Sequence, residues 1–231
     1  MISGTPLTPG RRLSSLLCRG AVVLSVAVGA SLTSALPWAA GAAMAQPARD
    51  AGAEQFVSAQ GQRVLAILND HSRSREDEKQ AFRAIIDQIA DVPRITSFVL
   101  GKYGRTITPA QRQQFASVFR LYAQDVYESR LGSYHGEHLK VTGSVVRKPG
   151  DVIVNTVVFG GHLETPTPVA WRLAGSGGSW KVVDVQARGV WLAITQQQDF
   201  VSTIDNAGGN IDILISQLKS KVEAEKAQTK E

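Results

Sequence analysis

Hydrophobic periodicity in this chain switches once near His138 and switches back near Val190, and the two switches restrict its fold more than any single motif does. Before the first, apolar side chains recur at helical spacing: Val57, Val64, Leu65 and Leu68 on one segment, then Phe82, Ile85, Ile86 and Ile89 on a second. Ser74 stands three residues before Asp77, a capping pattern that opens the second helix. Pro93 forces a break, and a short helix over 94–100 follows. Between the switches the period is two. Leu139, Val141 and Val145 alternate with Lys140, Thr142 and Ser144, and further strands are expected over 152–159, 169–173 and 180–187. Lys148-Pro149-Gly150-Asp151, the stretch from Gly160-Gly161 to Pro168, and residues 175–179 are turn-rich, so the four strands form an antiparallel meander. Helix returns over 190–205, breaks at Gly208-Gly209 and closes with Ile211, Leu214, Ile215 and Leu218 on one face. The expectation is an α+β domain with N-terminal helices, a four-stranded antiparallel curved sheet and C-terminal helices.

The strongest local signal lies just ahead of the first switch. Thr108 is a good N-cap, and Pro109 fits the first helical position, where its missing N–H costs nothing. Phe115, Val118, Phe119, Tyr122 and Val126 then form an apolar stripe. Gln113, Ser117, Arg120, Gln124 and Glu128 form a polar one opposite, and Gly132 ends the helix.

Residues 1–45 carry Arg11, Arg12 and Arg19 and no acid, then an apolar run over 21–36, then Pro37 and Ala43-Met44-Ala45. This reads as a secretory leader with a small-x-small cleavage site, since the run is shorter than the about 20 residues a bilayer span needs. Cys18 lies within it, so the body that follows has no thiol for a disulfide or a nucleophile. Without the leader 22 basic side chains face 20 acidic ones, which does not support a nucleic-acid partner. Residues 46–53 read as a loose start, 54–221 as one domain and 222–231 as a charged tail.

Catalytic constellations do not emerge. His71, His135, His138 and His162 fall in or near polar loops, and His135-Gly136-Glu137-His138 lacks the helical spacing that puts two imidazoles on one metal. Gly175-Ser176-Gly177-Gly178 fits a hairpin turn, not a nucleophile elbow or phosphate loop. Asp184, among Val182, Val183 and Val185, could act as a base with a raised pKa or bond a neighbouring backbone.

The order Leu100-Gly101, Tyr103-Gly104-Arg105, Thr108-Pro109, Gln111-Arg112, Phe115, Phe119, Tyr127 and Tyr134 resembles the MlaC family of periplasmic phospholipid-binding proteins, also called toluene-tolerance auxiliary proteins. A second block supports it: Trp180 to Val185, Gly189-Val190, Phe200, and the close from Gly209 to Leu218. The resemblance implies a nuclear-transport-factor or cystatin-like fold with an apolar cavity between sheet and helices. It also implies a non-enzymatic role without a cofactor or metal. The carrier would shuttle phospholipid between an outer-membrane lipoprotein-porin complex and an inner-membrane ABC transporter bearing an MCE ring.

The physics agrees with such a carrier. Lifting a two-chain lipid into water exposes on the order of 30 methylenes and costs about 24 kcal/mol, so a crossing needs an apolar enclosure and no covalent chemistry. Strand 152–159 is apolar on both faces, which demands cover on both, either from protein alone or from lipid on one side. From the apolar faces, Val99, Tyr103, Phe119, Tyr122, Val154, Phe159, Trp171, Val183, Trp191, Phe200 and Ile204 are wall candidates. Arg105, Arg147 and Arg188 are candidates for the lipid phosphate. One departure is Thr195-Gln196-Gln197, where the family pattern often has Asn-Tyr-Arg before Phe200. A hopanoid carrier, an enzyme using Asp184, and a cavity-free periplasmic adaptor stay open as alternatives.

Overall fold

The computed structural model of the chain describes residues 48–128 and 136–228. The expected leader, Gly132, Tyr134 and His135 lie outside the described residues.

Local sequence explains the starts of the first four α-helices. Helix α1 (Ala51–Leu68) begins where Asp50 accepts a hydrogen bond from the Ala53 amide at 2.8 Å. Residues 48–53, expected as a loose lead-in, are instead fastened down. The Val146 amide donates to the Ala48 carbonyl at 2.9 Å, the Asp50 amide donates to Ser144 Oγ at 2.8 Å, and Ala53 is fully buried. Helix α2 (Arg75–Ile89) opens on Ser74, whose hydroxyl accepts from the Asp77 amide at 3.1 Å. Helix α3 (Val92–Val99) carries Pro93 in its first turn and leads through a 3-10 turn (Gly101–Arg105) to α4 (Pro109–Glu128). Gly101 joins the two at φ +53°, and a Cβ there would stand 2.7 Å from Val201, so the position admits glycine for both strain and space.

At the head of α4, Thr108 and Gln111 cap each other. The Gln111 amide donates to Thr108 Oγ1 at 3.2 Å while the Thr108 amide donates to Gln111 Oε1 at 3.1 Å. The apolar stripe is buried at Phe115, Val118 and Phe119 and half-buried at Tyr122, but Val126 is exposed, so the stripe stops one turn early.

Five strands follow: β1 (Glu137–Lys148), β2 (Asp151–Gly160), β3 (Thr167–Ala174), β4 (Lys181–Ala187) and β5 (Val190–Trp191). They pair antiparallel in chain order, with irregularities in register near Gly143, near Arg147 and at Arg172/Leu173 that bend the sheet. The four expected strands are all present. The fifth is two residues long and was not expected, because Val190-Trp191 reads as the start of a helix until it pairs with Gln186 and Ala187. Helix α5 (Leu192–Asn206) then starts at Leu192, and α6 (Ile211–Gln228) closes the described chain. Helix α6 continues through residues 222–228, expected as a charged tail, and Val222 inside that stretch is buried.

Two cores result. One packs α1 and α2 on one face of the sheet through Val57, Ile85, Ile89, Val152, Val154 and Leu173. The other lies among α3, α4, α5 and α6, where Phe115 and Phe119 stack at 5.5 Å and Phe200 meets each edge-on at 5.7 Å.

Candidate functional site

Cross-strand partners in an antiparallel sheet share a face, so the register sorts the strand residues into two sets. Val152 opposite Leu173, and Val154 opposite Trp171, look toward α1 and α2. On the other face β2 presents Asp151, Ile153, Val157 and Phe159, with Val145 of β1 and Arg172 of β3 on either side of Ile153. Cover on that face is incomplete. Val145, Ile153 and Val157 are half-buried, and Phe159 is 38% exposed with its ring 5.7 Å from that of His138. The two-sided burial expected of this strand is therefore met on the α1–α2 side only.

This apolar strip ends in a charge cluster. Arg172 takes both oxygens of Asp151, Nε to Oδ1 at 3.0 Å and Nη2 to Oδ2 at 2.9 Å, the two-point geometry that suits a guanidinium and a carboxylate. Arg147 reaches the same Oδ2 only at 3.5 Å, with its side chain 46% exposed. The Arg172 hydrogen bonds hold the Asp151 carboxyl below the usual carboxylate range against the opposing effect of burial. Arg172 had no place in the sequence reading. The alternation Val169, Trp171, Leu173 sends it to the opposite face, but only the register brings Asp151 within reach.

Asp184 lies opposite Arg172 on β4 and is 6% exposed. Its Oδ1 accepts from the Val185 and Ala193 amides, both at 2.8 Å. Trp191, at the N-cap of α5, supplies no side-chain bond, so Asp184 does from the neighbouring strand what a capping residue does locally. Burial raises its pKa and the backbone N–H donors pull against that rise. Of the two roles open to it from sequence, bonding a neighbouring backbone is seen in this geometry.

The wall candidates fall into distinct settings. Phe159 shares the open face by register, as does Trp191 through its partner Gln186. Val154 and Trp171 belong to the α1–α2 core, where Trp171 Nε1 donates to Thr156 Oγ1 at 3.0 Å. Val99, Phe119, Phe200 and Ile204 are buried in the helical core, with Tyr103 and Tyr122 packed against it. Val183 sits half-buried at the irregular step of β4. Eleven side chains around a single hollow is not the arrangement found, because helical and strand periodicity mark which face is apolar but not which core it enters.

Among the described residues, the helical side carries grooves at two places. One, about 580 Å³, runs between α4 and α6 past Val118, Leu121 and Val222. The other, about 220 Å³, is lined by Tyr122, Phe200, Leu214 and Leu218 with Gln196, Asp199 and Lys221 at its polar positions. Neither is bounded by a strand residue. Gln197 does not line them; its side-chain amide donates to the Phe98 carbonyl at 2.5 Å and ties α5 to α3.

Arg105 closes the 3-10 turn, and Arg188 sits at φ +51° in the β4–β5 turn, at the far end of β4 from the strand ends that hold Asp151. The three candidate arginines therefore do not converge, and only Arg147 shares a carboxylate with another cation. Among the described residues no three His, Cys, Asp or Glu gather as metal ligands, and no helix is long and apolar enough to cross a membrane.

Comparison with known proteins places this geometry. The family model described as MlaC protein matches residues 59–220. The chain is 24% identical to the toluene tolerance protein ttg2D of Pseudomonas putida over 154 residues, 63% of this chain and 71% of that protein. It is 25% identical to the intermembrane phospholipid transport system binding protein MlaC of Haemophilus influenzae over 128 residues, 53% of this chain and 58% of that protein. Among solved structures, a phospholipid-binding protein from Ralstonia solanacearum, determined in complex with a phospholipid, superposes with a TM-score of 0.66 at 24% identity, covering 75% of this chain and 98% of its own.

Proposed function

The chain belongs to the MlaC protein family, and on that footing we propose that it is a non-enzymatic phospholipid carrier of the periplasm. Its leader over 1–45 is cleaved on export, and the body over 54–221 holds the acyl chains of one lipid at a time between the sheet and the helical core. The observation that carries this reading is the incompletely covered apolar strip of half-buried Val145, Ile153 and Val157 and exposed Phe159, which ends beside exposed Arg147. Apolar surface left open beside a cation suits a molecule with hydrocarbon at one end and a phosphate at the other. The phospholipid bound by the similarly folded Ralstonia protein supports the same ligand class here. The lipid is exchanged with an outer-membrane lipoprotein-porin complex and an inner-membrane ABC transporter with an MCE ring, as the intermembrane transport system named for the Haemophilus relative suggests.

Native mass spectrometry of the protein released from the periplasm tests this directly. A mass increment matching a diacyl phospholipid, confirmed by extraction, is the expected result. A hopanoid increment would redirect the assignment to polycyclic lipids, and protein that stays empty after exposure to phospholipid vesicles would leave a lipid-free adaptor.

A further inference from the structure

Building on the phospholipid reading above, we propose that Arg147 holds the phosphodiester of the bound lipid, and that Asp151 keeps Arg172 out of that contact, so that one of the two guanidiniums beside it is left for a singly charged headgroup. Bond geometry separates the two arginines. Arg172 is satisfied by two short bonds to Asp151, whereas Arg147 has a single long approach to an oxygen already engaged. The cations at this end of the sheet are Arg147, Lys148, Arg172 and Lys181, and of these Arg147 is the one whose guanidinium stands beside the Arg172–Asp151 pair. A phosphodiester carries one negative charge, which a single guanidinium can meet through two oxygens. Position agrees with charge. Asp151 and Ile153 share a face two residues apart on β2, and Arg172 stands directly opposite Ile153, so the apolar strip begins where the cation cluster ends. Arg147 belongs to an exposed strand end and can turn from Asp151 to a lipid oxygen without uncovering a buried charge, because Arg172 stays on the carboxylate.

Specificity follows from the same arrangement. Two uncommitted guanidiniums would favour a phosphate monoester, such as that of phosphatidic acid, over a diester. Asp151 prevents this by consuming one of them. The phosphate could also be taken without a lipid attached, and the strip beside the cluster is the reason to expect the lipid.

The experiment uses delipidated full-length protein loaded from vesicles containing phosphatidylglycerol, phosphatidic acid and diacylglycerol with identical acyl chains. Wild type is expected to load phosphatidylglycerol over diacylglycerol. Arg147→Gln should lower phosphatidylglycerol loading about tenfold, the value of a charge-assisted contact, and leave diacylglycerol unchanged. Asp151→Asn should raise phosphatidic acid relative to phosphatidylglycerol several-fold. Folded Arg147→Gln that loads phosphatidylglycerol like wild type overturns the headgroup assignment, whether or not Asp151→Asn folds. Displacement of the lipid by millimolar inorganic phosphate would overturn it in favour of a free-phosphate site. Failure of wild type to load any of the three lipids instead counts against the carrier reading itself, which keeps the two conclusions separable.

Discussion

Asp184 and Gly175 show how much single side chains decide. Burial lifts the Asp184 pKa, so its ionised form is the disfavoured one in the folded protein. Its contribution to stability therefore falls as pH rises from the ordinary carboxylate value, about 4, through the raised folded value. Asp184→Asn keeps an oxygen for the Ala193 amide and removes the charge, so its stability relative to wild type should be highest near pH 7 and shrink toward pH 4 in urea unfolding. Asp184→Ala loses the acceptor and should cost about 1–2 kcal/mol at neutral pH. A pH-independent difference between Asn variant and wild type would contradict the stated cause. Gly175 holds φ +136°, and a Cβ there would lie 2.1 Å from the Ser179 carbonyl oxygen. Gly175→Ala should destabilise by more than about 2 kcal/mol, seen as a lowered urea midpoint, because the backbone cannot accept the atom without reopening the β3–β4 turn.

Helices and strands were legible where a local rule sufficed. The Ser74 and Thr108 caps, the Pro93 break and the four period-two runs all lie in the chain as written, because each depends on residues within about four positions of one another. Thr108→Ala should accordingly cost about 1 kcal/mol and fray α4 first, measurable as faster amide exchange over its opening turn. What escaped the sequence depends on distant partners. The β5 pairing needs Gln186 and Ala187, and the helical start at Ala51 needs Ser144 and Val146 to receive residues 48–50. The Arg147–Asp151–Arg172 cluster is a product of register between three strands, and no spacing along the chain announces it.

At the scale of the whole molecule, the division into two cores separates what stabilises from what is available to a ligand. Phe200 and Phe159 are both phenylalanines from the same expected wall, yet one sits among Phe115, Phe119 and Tyr122 and the other is open. Phe200→Ala should cost about 3–5 kcal/mol, while Phe159→Ser should change stability by less than about 0.5 kcal/mol and lower co-purified lipid several-fold. Equal loss of lipid without loss of stability in both variants would instead place the ligand in the helical core. The sequence could mark which faces are apolar but not which core each enters, since burial on a helix face looks alike whether the neighbour is another helix or a sheet. The fastening of residues 48–50 along β1 also has a consequence for how the chain withstands proteolysis. β1 is an outermost strand, with β2 on one side, and the Ala48 carbonyl meets its other border at Val146. Trimming by a protease beyond Ala48 would bare that border as a template for another copy, so the first symptom of such a cut would be self-association and precipitation, ahead of any measurable defect in cargo.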